Sequence, residues 1–157
     1  MLHCPNCGAE VSETHNFCWK CGASLKEPKT PEAAVRAVLI ARIEGIKHKD
    51  IEVVRKTIED EHYTKFDDWP PFERQGIEAL KREEQALHVL KRYDYETSDW
   101  RIDIFDDAAV ASFTIKYEGQ IRKRRFYIKS RVSAFLIKRG DKWKIVHEHW
   151  SRFPETL

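Results

Sequence analysis

Residues 142–151, Lys142-Trp143-Lys144-Ile145-Val146-His147-Glu148-His149-Trp150-Ser151, alternate with the period of two that marks a β-strand. Strict alternation groups Trp143, Ile145, His147, His149 and Ser151 on one face and Lys144, Val146, Glu148 and Trp150 on the other. Both faces carry aromatic and polar residues, so the pattern leaves open which one is buried. Three more strand-like segments precede it, at about 93–105, 108–118 and 121–138, with Asp106-Asp107, Glu118-Gly119 and Gly140-Asp141 as the breaks. Breaks this short join antiparallel neighbours as hairpins. The 121–138 run is long for one strand and predicts a bend or bulge near Ser130.

Upstream, the period becomes helical. From Pro31 to about Lys47, Val35, Val38, Leu39, the Arg42 stem, Ile43 and Ile46 recur at spacings of three and four, with Thr30 as cap and Pro31 in the first turn. Asp50 caps a shorter helix carrying Ile51, Val54 and Ile58. His62 to Trp69 reads as an extended segment stopped by Pro70-Pro71, and a third helix runs from about Gly76 to Leu90 with Ile77, Leu80, Leu87 and Leu90 on its buried side. Helices followed by an antiparallel sheet make an α+β domain.

The chain has 157 residues, 41% hydrophobic and 34% charged, enough for one sizeable core plus an appendage and unlike a disordered composition. Residues 1–25 are the appendage, 26–30 a linker and 31–157 the main domain. Lys and Arg number 28 against 26 Asp and Glu. Global charge therefore selects no partner, and only a local patch can do so. No basic and apolar leader precedes Cys4, and the longest apolar run, Ala37–Ala41, is far too short to span a bilayer. A cytoplasmic protein without a membrane partner is expected, in a compartment that keeps thiols reduced.

All four cysteines lie in the appendage, as Cys4-x2-Cys7 and Cys18-x2-Cys21 with Gly8 and Gly22 directly after the pairs. Leu2, Val11, Phe17, Trp19 and Leu25 are too few to make a core, so a cross-link or metal has to hold this piece. Two such turns facing each other supply the tetrahedral thiolate shell of one structural zinc ion, whose four protein ligands leave no position for catalytic water. Disulfides or iron are the competing occupants. His3 and His15 read as surface residues beside a filled shell. Residues 1–25 resemble the short zinc ribbons at one end of many bacterial and archaeal proteins, which implies a docking or spacing module for a protein partner.

The main domain resembles the nuclear-transport-factor-2-like (NTF2-like) superfamily, which includes SnoaL-like proteins and ketosteroid isomerase. The resemblance rests on Lys49-Asp50-Ile51, Tyr63–Asp67, Gly76–Leu80 and the terminal strand Trp143–Ser151. It implies a cone: a curved sheet wrapped against three helices, a pocket at the open end and homodimerisation through the outer face of the sheet. Counting back from Arg74-x-Gly76 sets the isomerases' catalytic aspartate on Asp67, between Phe66 and Trp69, where a raised pKa would suit a base. Counting back from Asp50 sets their oxyanion tyrosine on Arg42, which would pair with a carboxylate or bind an anion instead.

Around that pocket, Tyr63, Phe66, Trp69, Trp100, Phe126 and Trp150 are candidate lining residues with Arg42, or else aromatic filling of the cone. His147 and His149 either face a common ion or substrate, assisting Asp67, or are imidazoles satisfied by neighbours. Arg122-Lys123-Arg124-Arg125 is a candidate nucleic-acid contact or the solvated charge of a hairpin, with opposite pairs pointing to opposite faces. The expected function is a module for binding a small apolar ligand or for protein association. The alternatives are an isomerase-, dehydratase- or cyclase-like acid-base enzyme and a nucleic-acid binder, nucleic acid being the less favoured partner.

Overall fold

The computed structural model describes residues 2–25 and 30–154. The expected linker falls almost wholly outside them. Two short strands, β1 (Leu2–His3) and β2 (Glu10–Val11), pair antiparallel in the N-terminal piece. Then follow α1 (Pro31–Lys47), α2 (Ile51–Lys56), β3 (Thr64–Phe66), α3 (Ala79–Val89), β4 (Leu90–Phe105), β5 (Ala108–Ile121), β6 (Arg124–Arg139) and β7 (Lys142–Arg152). Thr30 accepts from the Ala33 N–H and Asp50 from the Val53 N–H, so both expected caps start their helices.

The five-stranded sheet runs β3-β7-β6-β5-β4, all neighbours antiparallel except the parallel pair β3–β7. Its inner face and the helices share one core. Val35, Leu39 and Ile43 of α1 meet Val54, Ile58, Leu80, Leu87, Phe113, Ile115, Val132, Leu136, Ile145 and Trp150 there. Burying each large side chain contributes about 1.5–3 kcal/mol before the entropy of ordering is counted.

Two expectations about the sheet are corrected. Glu118-Gly119 is no turn: the β5–β6 ladder runs unbroken through it, Gly119 opposite Phe126, and the reversal comes at Arg122-Lys123. Gly119 is needed because a Cβ there would stand 2.1 Å from the Arg92 carbonyl oxygen of β4. No bulge interrupts the β5–β6 ladder near Ser130 either. The irregularities lie in β4, between Leu90 and Arg92 and between Ser98 and Arg101, and in β7, where Val146 has no partner between Ile145 and His147.

The bulge at Val146 settles the question of faces in β7. One extra residue flips the parity, so Trp143 and Ile145 before it and Glu148 and Trp150 after it all point inward and are buried. His147 and His149 are turned outward.

Candidate metal centre and cavity

The N-terminal piece is built from two matching turns. Gly8 N–H donates to the Cys4 carbonyl and Cys4 N–H to that of Ala9; Gly22 donates to Cys18 and Cys18 to Ala23. Gly8 and Gly22 hold φ at 78° and 77°, the left-handed region. The sulfurs of Cys4, Cys7, Cys18 and Cys21 lie within 4.8 Å of one another, with Cys4–Cys21 at 3.7 Å and Cys7–Cys18 at 3.6 Å. A tetrahedron with Zn–S near 2.3 Å has edges of about 3.8 Å. The donor set therefore fits one zinc ion, and spacings this long rule out disulfides.

This piece is packed on the main domain. Trp19 stacks on His48 with ring centroids 4.1 Å apart, and its Nε1 donates to the Glu10 carbonyl at 2.8 Å. His15 Nε2 lies 3.4 Å from the buried Glu44 carboxylate, which also accepts from Tyr95 at 3.0 Å. His15 is half-buried here instead of free on the surface.

Within the cone lies a cavity of about 250 Å³. Ile46, Leu87, Leu90, Ile121, Phe126 and Trp150 make much of its wall, and its charged lining comes from α1, α3, β3 and the loop after β3. Arg42 donates through Nε to Glu148 at 2.6 Å and through Nη2 to Glu83 at 2.7 Å. Glu148 also accepts from Tyr63 at 2.7 Å and from Trp150 at 2.6 Å. Lys65 Nζ sits 2.8 Å from Asp67 and 3.6 Å from Glu83. Burial works against the Arg42 charge, and Glu148 and Glu83 outweigh it, so the guanidinium stays charged. Two buried atoms of this network, Arg42 Nη1 and Glu83 Oε2, have no hydrogen-bond partner among the described residues.

A second polar group sits beside it. Asp68 Oδ2 accepts from Tyr117 and from Ser130, each at 2.6 Å, and Trp69 Nε1 donates to the Tyr117 hydroxyl at 2.9 Å. Burial pushes the Asp68 carboxyl up to about 6 against these two hydrogen bonds, with the adjacent Asp67 adding to the rise. Asp67 behaves oppositely: burial raises it, but the Lys65 ammonium outweighs burial and holds it below the usual carboxylate range. The carboxyl with the raised pKa is thus Asp68, where the resemblance set the expectation on Asp67.

Of the expected pocket residues, Arg42, Asp67, Trp69, Phe126 and Trp150 line the cavity. Tyr63 is buried behind it on Glu148. Phe66 is on the outer side of β3, its ring 5.8 Å from that of His147 and 5.2 Å from that of His149. The bulge turns both histidines away from the cavity; His147 Nδ1 meets Thr64 Oγ1 at 2.7 Å. Trp100 is at the far end of β4, stacked on Phe113 at 4.1 Å and lining the cleft under the zinc-binding piece. The basic run does not make two opposed strand pairs, since Arg122 and Lys123 form the turn and only Arg124 and Arg125 belong to β6.

Sequence reasoning missed Lys65, Asp68, Glu83, Tyr117, Ser130 and Glu148. Lys65 and Glu148 carried a usable signal, being charged residues in step with apolar ones on strands; the others are spread over α3, β5, β6 and the loop after β3 with no local pattern.

The comparisons agree with this geometry. A zinc-ribbon domain model matches residues 3–25 and a SnoaL-like domain model matches residues 35–155. No curated protein matched by sequence. Among solved structures, a candidate dehydratase of the NTF2-like family from Streptomyces avermitilis superposes with a TM-score of 0.71 at 14% identity, covering 81% of this chain and 99% of its own. A candidate aromatic ring hydroxylase from Novosphingobium aromaticivorans gives 0.72 at 12% identity, over 81% and 92%. A candidate calcium/calmodulin-dependent protein kinase II association domain from Xanthomonas campestris gives 0.68 at 18%, over 82% and 93%. Identities this low carry the fold alone, and the neighbours' differing names point to no common reaction. With the family model spanning most of its length, the chain belongs to the SnoaL-like family within the NTF2-like fold and carries a zinc ribbon at its N-terminus.

Proposed function

We propose that the cone cavity binds a small, largely apolar molecule that presents a hydrogen-bonding group to its floor. The observation that carries this reading is the pair Arg42 Nη1 and Glu83 Oε2, a donor and an acceptor buried without partners among cavity-lining side chains. An unsatisfied buried polar atom costs about 1–3 kcal/mol, which a ligand bearing a hydroxyl or amide recovers. Calorimetric titration with 1-octanol tests it. Saturable binding is expected in the native chain and its loss in Ala86→Trp, which plugs the wall from an exposed position; absence of binding to the native chain overturns the reading.

Around this site we read residues 1–25 as a metal-held unit and residues 31–157 as a separately folded one. Outer-face residues Val110 and Phe135, exposed and opposite each other in the β5–β6 ladder, favour a homodimer through the sheet. Reduced thiolates favour the cytoplasm. Among the described residues no helix is long and apolar enough to cross a membrane. The ribbon's contacts through His15 and Trp19 favour a spacing element attached to this domain, with its opposite face left for a protein partner.

A second reading, acid-base catalysis, is favoured by Asp68. A carboxyl titrating near neutrality, held by Tyr117 and Ser130 at the cavity wall, can accept and return a proton. Asp68→Asn should retain octanol binding and abolish any turnover found for a candidate substrate; retained turnover would exclude Asp68 as the base.

A further inference from the structure

On the far side of Trp69 and Phe126 a groove of about 430 Å³ adjoins the cavity, and Trp69, Ile121 and Phe126 line both. Trp69 and Phe126 meet edge to face, centroids 5.3 Å apart, as a shared partition. Arg124, Arg125 and Arg152 line the groove, and no acidic residue is among its lining residues. Neither Arg124 nor Arg125 has a carboxylate partner among the described residues. Arg152 is held in place, donating through Nε to the Asp68 carbonyl oxygen at 2.7 Å with its guanidinium 5.0 Å from the centre of the Trp69 ring.

The cavity floor is built the other way. Arg42 already answers Glu148 and Glu83, and Lys65 answers Asp67 and Glu83. Asp68 stands at the same wall. An anionic group entering the floor would meet Arg42 and Lys65, which are already matched, and carboxylates that repel it; Arg82, at the same wall, donates through Nη1 to Gln75 Oε1 at 2.8 Å. At the groove it would meet three guanidiniums with no competing acid, in the fork geometry that suits phosphate and carboxylate oxygens.

We propose that the Arg124–Arg125–Arg152 groove is an anion subsite adjoining the cavity along Trp69, Ile121 and Phe126, and that the natural ligand is an amphipathic anion: an apolar body inside the cone and a phosphate or carboxylate head at the arginines. This rests on the cavity being a ligand site. It also gives the basic run a role other than nucleic-acid contact, because the uncharged residues Trp69, Ile121 and Phe126 tie the groove to an apolar cavity of about 250 Å³, which has no room for a polynucleotide.

The test is calorimetric titration of the full zinc-loaded chain with 1-octanol, octylamine, octanoate, octyl phosphate, inorganic phosphate and a generic single-stranded oligonucleotide. Octyl phosphate and octanoate should bind at least about tenfold more tightly than octanol, a difference of about 1.4 kcal/mol, and octylamine more weakly than octanol. Whichever head is preferred identifies the anion. In Arg124→Ala/Arg125→Ala the anion preference should fall to the level of octanol. Ala86→Trp should weaken all four chain-bearing probes and leave any binding of inorganic phosphate as it was. If octyl phosphate and octanoate bind no better than octanol, the subsite is overturned and the cavity reading stands. If octanol itself does not bind, the cavity reading has failed. If the oligonucleotide binds equally to the native chain and to Ala86→Trp and octyl phosphate does not displace it, the groove is a nucleic-acid surface and the proposal is overturned.

Discussion

The ribbon and the cone solve the same folding problem with different means. Residues 2–25 bury Cys4, Cys18 and Trp19 and little else, so their order depends on four sulfurs converging on one ion. Residues 30–154 have a continuous core that includes Ile43, Ile115, Leu136 and Ile145, and can hold charged side chains inside it because those charges are matched. The lesson is that a metal-held unit fails all at once, whereas a core-held unit loses stability in increments.

The largest effect expected is on the ribbon. Structural zinc contributes an apparent free energy of about 10–16 kcal/mol in small zinc modules, so chelation should collapse the amide resonances of residues 2–25. Those of residues 30–154 should keep their dispersion, apart from shifts near His48 and Glu44 where the ribbon is docked. Loss of both sets together would mean that the two units are one cooperative structure.

The next probes the cone. Arg42→Ala leaves Glu148 and Glu83 facing each other in the interior without their cation, and should cost about 3–5 kcal/mol in denaturant unfolding. The ribbon should still bind zinc in that variant. A cost below about 1 kcal/mol would mean that Lys65 or water takes over the pairing.

A smaller, pH-dependent effect belongs to Asp68. Its folded pKa of about 6 lies above the unfolded 3.8, so the folded state holds the proton longer and stability from this group falls as pH rises from about 4 to 6. The change is at most about 3 kcal/mol, at about 1.4 kcal/mol per pKa unit. Asp67, whose pKa is lowered, acts in a separate window, losing its contribution as pH falls below the ordinary carboxylate range. Stability curves of the native chain and Asp68→Asn should therefore diverge between pH 4 and 6; parallel curves there would refute the assignment.

The smallest effect lies at the junction. Trp19→Ala removes the stack on His48 and should weaken docking by about 0.5–1.5 kcal/mol, leaving zinc affinity within a few-fold. Faster protease cleavage near residues 26–30 reads the loosened junction. An unchanged cleavage rate would show that His15 and Glu44 hold the ribbon without the stack.

The parts of this protein legible in one dimension are those whose physics is local. Thiolate pairs three residues apart, a side-chain cap at Thr30 or Asp50, and the three-four stripe of α1 are decided by neighbours in the chain, and each is where the sequence puts it. Alternation also announced β7, but not its faces, because a single unpaired residue at Val146 reverses parity and depends on how β6 lies beside it. The turn at Arg122-Lys123 was hidden for a similar reason: Gly119 answers the close approach of Arg92 in a neighbouring strand, not a reversal of its own. What only the tertiary structure decided is the chemistry of the cavity. Asp67 and Asp68 are adjacent and alike in sequence, yet one faces Lys65 and the other Tyr117 and Ser130, and that difference in surroundings drives their pKa values apart.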